Sequence, residues 1–151
     1  REWTQYADEV PSEAVKLPSF VKNIQPELQA LPREEVLAKV AAIPDPHVRE
    51  RWRKAACEGI AAEELRPSIE RLQEMVDRMD RALSGGPWLS GGQFSLADVD
   101  IAPFVQRLVR IDLFHLVEQK PRVADWYARI SARPAYPLAI PSAGSEGVQP
   151  A

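Results

Sequence analysis

The stretch from Phe94 to Val99 constrains the fold of this chain most, because it contains every element of a helix start. Ser95 stands at the N-cap position, where its hydroxyl can accept a hydrogen bond from the backbone N–H of Asp98. The Asp98 carboxylate can in turn accept one from the backbone N–H of Ser95. Phe94 precedes the cap and can pack on Val99 one turn later, as a hydrophobic staple. These four residues predict a capping box whose role is to specify fold rather than chemistry.

The helix that follows this box is apolar on nearly every side. Its apolar residues are Leu96, Val99, Ile101, Ala102, Phe104, Val105 and Leu108. A helix that is apolar all round lies in a core or in a membrane. This one is too short and too often interrupted by charge to span a bilayer. The pattern therefore predicts a buried central helix that starts near Ser95 and ends at about Arg110.

Apolar residues at helical spacing recur through the rest of the chain, and no strand-like alternation or internal repeat is found. We expect helices over 1–17 (bent at Pro11), from Pro32 to Pro44, and over 45–59, 63–83, 111–117 and 121–133, with an irregular segment over 18–31. The longest of these carries a seam of apolar residues at alternating steps of four and three, which is typical of a bundle core. The sequence predicts an all-α helical bundle.

Composition limits the function classes. The chain has 151 residues and a net charge of −3, so it lacks the basic excess that nucleic-acid binding requires. No apolar run is long enough for a membrane span. The single cysteine, Cys57, cannot form an internal disulfide, and no signal peptide is visible, so a cytoplasmic location is expected. An uncapped helix that begins at Arg1 suggests that the natural N-terminus lies upstream.

Residues that could perform catalysis are few. The glycine-rich segment 86–93 has Gly92 where a phosphate-binding loop needs a lysine. His47 and His115 have no partner at metal-ligand spacing, so no metal site is expected. Cys57 has no histidine in register to activate it. No catalytic residue is predicted in this chain.

Two segments carry a resemblance to a known family. The lead-in Gly85-Gly86-Pro87-Trp88-Leu89 runs into Ser95-Leu96-Ala97-Asp98, and the last helix continues through Trp126-Tyr127 to Ala132-Arg133-Pro134-Ala135-Tyr136. Residues 1–138 thereby resemble the all-helical C-terminal domain of the glutathione transferases, and 139–151 is expected to be a flexible tail. Arg1-Glu2-Trp3-Thr4 and Trp52-Arg53 are most similar to the bacterial β-aryl etherases and reductive dehalogenases of that superfamily.

The resemblance implies that the active site is shared with an N-terminal thioredoxin-like domain that this chain lacks. That domain would bind most of the cosubstrate glutathione and activate its thiol, so the isolated chain should be inactive. The helical half would form the substrate wall and much of a homodimer interface, through the first helix and the 63–83 helix. By the same resemblance the wall residues would be Trp3, Tyr6, Ala7, Val10, Arg107 and Ile111. Packing against neighbouring helices is the alternative role for these side chains.

The implied activity is attack of the glutathione thiolate on a hydrophobic electrophile, as in detoxification, aryl ether cleavage or dehalogenation. Two other interpretations stay open at this point. Transferase-like helical domains also serve as non-catalytic assembly modules for protein–protein interaction. An unrelated helical bundle could also carry the same capping box by chance.

Overall fold

The computed structural model describes residues 2–140, which fold into α-helices connected by short loops, with no β-strand in that range. The helices are α1 (Glu2–Glu9), α2 (Pro11–Ala14), α3 (Lys16–Asn23), α4 (Gln25–Ala30), α5 (Arg33–Ala41), α6 (Pro46–Cys57), α7 (Ala62–Ala82), α8 (Leu96–Arg110), α9 (His115–Glu118), α10 (Pro121–Ser131) and α11 (Tyr136–Ala139). A 3₁₀ turn over Leu83–Gly85 follows α7. The all-α bundle predicted from the sequence is confirmed.

The N-terminal third of the chain is more helical than expected. The predicted first helix is divided at Val10 into α1 and α2, next to Pro11. The prediction of an irregular segment over 18–31 is wrong, because α3 and α4 occupy most of it. Pro18 and Pro26 lie in the first turns of these helices, where the backbone N–H that proline lacks has no intrahelical partner anyway.

The long helix α7 buries the seam that its sequence predicts. Leu72, Val76 and Met79 are fully buried, and Met75 beside them is buried as well. Leu83, just beyond the helix end, continues the seam at 6 % exposure. The opposite face of α7 carries charged side chains, so the helix packs on one side only.

The central helix α8 starts where predicted, but it is not enclosed on all sides. Its buried residues are Ala97, Asp98, Ile101, Ala102, Val105 and Leu108. In contrast, Leu96 is 72 % exposed and Val99 is 47 % exposed. The expectation of a helix buried all round is therefore corrected, because α1 and α10 pack against α8 and leave an apolar strip open.

Two separate groups of buried side chains hold the described residues together. The main core joins α1, α2 and the chain from α7 to α10 through 19 buried residues, including Leu72, Ile101 and Trp126. A satellite cluster consists of Leu28, Val36, Val40 and Ala56, with Phe20, Ile24, Leu31 and Trp52 packed against it. The satellite cluster belongs to α4, α5 and α6, with α3 at its border.

The C-terminal part of the described chain contains shorter elements than predicted. The helix expected over 111–117 is limited to α9, and Asp112 before it adopts a positive φ of 60°. The short helix α11 was not predicted; the Tyr136 hydroxyl donates to Gln106 Oε1 on α8 at 3.1 Å. Burial raises the pKa of Tyr136, and so does its interaction with Tyr127. The predicted tail falls outside the described residues from position 141 onward.

Candidate functional site

Asp98 is the most constrained polar side chain near the centre of the fold. It is completely buried and lies in the first turn of α8. Its Oδ2 accepts hydrogen bonds from the backbone N–H of Ser95 at 2.9 Å and from the Ser95 hydroxyl at 3.1 Å. Its Oδ1 accepts from Trp126 Nε1 at 2.7 Å and from the backbone N–H of Leu89 at 3.0 Å. Because every contact is internal, this carboxylate joins the lead-in loop, α8 and α10, and offers nothing to a ligand.

The other two residues of the predicted box border a separate groove. The Phe94 ring lies edge-on to Trp88 at 5.2 Å between centroids, and the Arg133 guanidinium lies 3.8 Å from the Phe94 ring centre. Phe94 and Val99 line a groove of about 320 Å³ together with Tyr136 and Ile140. Val99 is therefore open to this groove rather than enclosed in the core.

Trp3 and Tyr6, two of the predicted wall residues, surround an arginine. The Arg78 guanidinium lies 4.9 Å from the Trp3 ring centre and 4.2 Å from that of Tyr6, within cation–π distance. Glu2 pairs with the same arginine at 2.5 Å. Burial raises the pKa of the Tyr6 phenol despite the opposing charge of Arg78.

The remaining predicted wall residues do not share one surface. Ala7 and Ile111 lie in the main core at 3 % and 6 % exposure, so they offer almost no surface to a ligand. Val10 is half-buried at the break between α1 and α2. Trp3 borders a hollow of about 960 Å³ between α1 and the start of α8. Arg107 borders a different one.

That second hollow, here called the arginine hollow, measures about 570 Å³. It lies where α2 and α3 face α6 and α8, at the border between the main core and the satellite cluster. Its lining residues are Glu13, Lys16, Leu17, Ser19, Phe20, Asn23, Ile24, Arg51, Trp52 and Arg107. The Phe20 and Trp52 rings meet edge-on at 5.1 Å. This combination of an apolar and aromatic lining with a few polar groups is typical of small-molecule sites.

Most of the arginine hollow was missed by reasoning from the sequence, because 18–31 was interpreted as irregular. The signal was present as the spacing Leu17, Phe20, Ile24, which places three apolar residues on one helix face. Arg51 gives no such signal, because it is one of several charged residues on its helix. Only the fold brings it to the same hollow as Arg107, which is 56 positions away in the sequence.

Metal or thiol chemistry would need clustered His, Cys, Asp or Glu side chains. Residues 2–140 contain no cluster of three or more His, Cys, Asp or Glu side chains that could hold a metal ion. His47 and His115 are both exposed, and Cys57 is half-buried at the end of α6. No helix within the described part of the chain is long and apolar enough to cross a membrane.

Comparison with known proteins gives consistent results. The family model described as "Glutathione S-transferase, C-terminal domain" matches residues 41–129. The chain is 26 % identical over 147 residues to Glutathione S-transferase TCHQD of Arabidopsis thaliana, covering 92 % of this chain and 54 % of that protein. It is 36 % identical over 81 residues to Glutathione S-transferase F10 of the same plant, covering 52 % of this chain and 38 % of that protein.

A solved structure agrees with the bacterial subgroup suggested by the sequence. Beta-etherase LigF from Sphingobium sp. strain SYK-6 superimposes with a TM-score of 0.74 at 27 % identity, over 92 % of this chain and 59 % of that one. Both proteins match this chain along most of its length. The chain spans only about half of the length of each of them. The matched family model and the shared helical fold together establish that this chain belongs to the glutathione S-transferase C-terminal domain family.

Proposed function

We propose that the protein containing this chain conjugates glutathione to a hydrophobic electrophile, and that this chain supplies the substrate wall and part of a homodimer interface. Glutathione would be bound mainly by residues outside this chain, which would also activate its thiol. The single observation that carries the proposal is the arginine hollow, which combines an apolar and aromatic wall of Leu17, Phe20, Ile24 and Trp52 with a volume of about 570 Å³. The likeness to the beta-etherase LigF favours an aryl ether as the electrophile.

The proposed reaction is a substitution at carbon. The glutathione sulfur forms a thioether bond with the electrophilic carbon, and the bond from that carbon to its leaving group breaks. An aryl ether would release an aryloxide, which takes up a proton to become a phenol, and an organic halide would release halide ion. The side chains of the hollow would position the electrophile, and they would not themselves exchange protons with it.

Apolar packing in the hollow is the part of the proposal that this chain can test directly. Leu17→Ala removes half-buried apolar surface from the hollow, whereas Leu37→Ala makes the same change at an exposed position of α5 that does not line the hollow. In the full-length protein, we expect Leu17→Ala to raise the KM for a chloronitroaromatic electrophile several-fold, since burying one large side chain contributes about 1.5–3 kcal/mol. The KM for glutathione should not change in either variant.

The outcome that contradicts the proposal is equally specific. Full-length protein that is not retained on immobilised glutathione and turns over neither a chloronitroaromatic nor a β-aryl ether is not such a transferase. That result would favour the non-catalytic assembly module. Equal KM increases in the Leu17 and Leu37 variants would instead exclude the arginine hollow as the substrate wall.

The proposed homodimer interface includes the surface formed by Trp3, Tyr6 and Arg78, since these residues stack on one another across α1 and α7. Aromatic and arginine side chains are enriched at protein interfaces. We expect full-length protein to sediment as a dimer and Trp3→Ala to shift it toward monomer. A wild-type protein that is monomeric at micromolar concentration would overturn this part of the proposal.

A further inference from the structure

The cationic side chains of the arginine hollow are not balanced by acidic ones. Lys16, Arg51 and Arg107 line it, and the only acidic residue in the lining is Glu13, which pairs with Lys16. Within residues 2–140, Arg51 and Arg107 have no ion pair and no hydrogen-bond acceptor. Two guanidinium groups in one hollow therefore have hydrogen-bond donors available for a ligand.

The neighbouring arginine on α6 shows that this arrangement is not simply a property of the helix. Arg53 donates to both carboxylate oxygens of Glu50, at 2.9 and 2.7 Å, and also reaches Glu58 at 3.1 Å. Arg51, two residues earlier, lies on the side that faces the hollow and has no such partner among the described residues. The charge at Arg53 is already neutralised within α6, whereas the charge at Arg51 is not.

Ser19 adds a third donor. Its Oγ is buried and has no hydrogen-bond partner within the described residues, although the side chain lies in the lining of the hollow. A buried hydroxyl without a partner is destabilising, because it has lost its hydrogen bonds to water. A ligand oxygen in the hollow would remove that destabilisation.

The apolar part of the lining indicates what else the ligand contains. The Phe20 and Trp52 rings form an edge-on pair at 5.1 Å, and Leu17 and Ile24 lie on the same helix face as Phe20. Aromatic rings prefer offset or edge-on contact with other rings. A flat aromatic group fits this surface better than a flexible chain, because it can contact both rings with little loss of conformational freedom.

We infer that the arginine hollow binds an aromatic ligand with a negative charge, namely a ring bearing a carboxylate or a similar oxyanion. Arg51 and Arg107 bind the anion, Ser19 donates to it, and Phe20 and Trp52 contact the ring. A guanidinium matches a carboxylate through two parallel hydrogen bonds, which a neutral amide cannot accept equally well. This inference rests on the proposed function, and it specifies that the electrophile is an aromatic acid.

Direct binding to the full-length protein provides the first test. Calorimetric titration compares naphthoate with naphthamide, which has the same ring and nearly the same shape but no charge. We expect naphthoate to bind roughly tenfold more tightly or better, since hydrogen bonds to charged groups contribute about 1.5–3 kcal/mol. The preference should shrink as salt is added, because Arg51 is exposed. Equal affinities for the two ligands would overturn the inference.

Substitutions in the hollow test whether its two arginines cause the preference for naphthoate over naphthamide. Arg51→Gln and Arg107→Gln should each abolish most of the naphthoate preference and leave naphthamide affinity unchanged. Arg71→Gln on α7 is the matched control, because Arg71 is exposed and does not line the hollow. Circular dichroism establishes that each variant is folded before titration. An equal loss of preference in Arg71→Gln would show a general charge effect and contradict the assignment.

A catalytic comparison separates this inference from the proposed function. Chloronitrobenzoate and chloronitrobenzamide share a leaving group, so the KM ratio reports binding rather than leaving-group chemistry. We expect a lower KM for the benzoate, and loss of that difference in Arg107→Gln. Turnover of both compounds with equal KM would leave the transferase proposal standing and overturn the inference that the hollow prefers an anionic ligand. A naphthoate preference without any turnover would instead leave the anion-binding hollow standing and overturn the identification of its ligand as the electrophile.

Discussion

The main core and the satellite cluster are both helical, yet they are stabilised to different extents. The main core contains fully buried large side chains, among them Trp126, Leu72, Met75 and Ile101. In the satellite cluster, no buried residue is larger than Leu28, and each retains between 3 % and 9 % exposure. Since stabilisation scales with the apolar area removed from water, most of the folding free energy lies in the main core.

This difference bears on the arginine hollow, which lies between the two regions. One wall comes from α8, fixed in the main core, and the other from α6, which packs on the small satellite cluster. Local opening is easiest where few apolar side chains are buried. The Arg107 side of the hollow is therefore expected to be rigid, and the Arg51 side to be able to adjust to a ligand.

Carboxylates at helix starts give the largest expected contrast between the two regions. Asp98, in the first turn of α8, accepts four hydrogen bonds inside the main core, whereas Asp45 is the N-cap of α6 and accepts from the N–H groups of His47 and Val48. Asp98→Ala should lower the free energy of unfolding by about 3–5 kcal/mol, since it leaves the buried N–H groups of Trp126 and Leu89 without a hydrogen-bond acceptor. Asp45→Ala should lower it by about 1 kcal/mol. Urea denaturation measures both.

Equal losses in the two cap variants would contradict the assignment of Asp98 as a buried anchor. An Asp98 variant that does not fold at all would agree with the predicted order. In that case Asp98→Asn, which keeps one carbonyl oxygen for Trp126 or Leu89, should fold with an intermediate stability.

Side-chain truncation tests the cores themselves with one chemical change. Val76 on α7 is completely buried in the main core, and Val40 on α5 is 3 % exposed in the satellite cluster. We expect Val76→Ala to destabilise by about 2–3 kcal/mol and Val40→Ala by about 1 kcal/mol, because the smaller cluster can collapse around the lost methyl groups. Hydrogen exchange should show faster opening of α5 and α6 in Val40→Ala, with α7 and α8 unchanged. Global unfolding in both variants would mean that the two regions form one cooperative unit.

A third comparison concerns one glycine near each region. Here the expected loss of stability depends on backbone geometry rather than on how deeply a side chain is buried. A Cβ on Gly86, in the lead-in loop of the main core, would lie 2.6 Å from the backbone of Gly91. Gly59, next to the satellite cluster, has a positive φ of 82°, and a Cβ there would make only ordinary contacts, 3.6 Å from the Gln29 side chain and 3.7 Å from that of Gln25. Gly86→Ala should cost about 1–3 kcal/mol by overpacking, and Gly59→Ala about 1–2 kcal/mol by left-handed strain. Thermal unfolding distinguishes them from Gly85→Ala, which meets nothing within 4 Å and should be close to neutral.

The sequence predicted the main core better than the satellite cluster for a physical reason. The capping box and the Leu72, Val76, Met79 seam are local patterns, so they specify α7 and α8 without knowledge of the fold. Helices α3 and α4 were missed, because proline was interpreted as a helix breaker when it lies in the first turn. The arginine hollow could not be predicted, since Ser19, Arg51 and Arg107 meet only through tertiary packing.

The smallest expected effect concerns the ion pair that connects the two regions. Lys54 on α6 pairs with Glu64 on α7 at 2.6 Å, and the hydrogen bond from Lys54 lowers the pKa of Glu64. A carboxyl group with a lowered pKa stabilises the fold above its unfolded pKa, and this contribution disappears as the pH falls through its folded pKa. Glu64→Gln should therefore narrow the stability difference between pH 7 and acid conditions, although both side chains are well exposed and the change will be small.

Lys39→Met is the matched control for this last experiment, because Lys39 pairs with Glu35 inside α5, so this ion pair does not connect α5 to another helix. In wild-type protein, acid should loosen α5 and α6 before the main core, which far-ultraviolet and tryptophan signals would report as two transitions. Lys54→Met should make the first transition less dependent on pH, and Lys39→Met should leave it unchanged. If both variants behave like wild type, the Lys54–Glu64 pair does not couple the satellite cluster to α7.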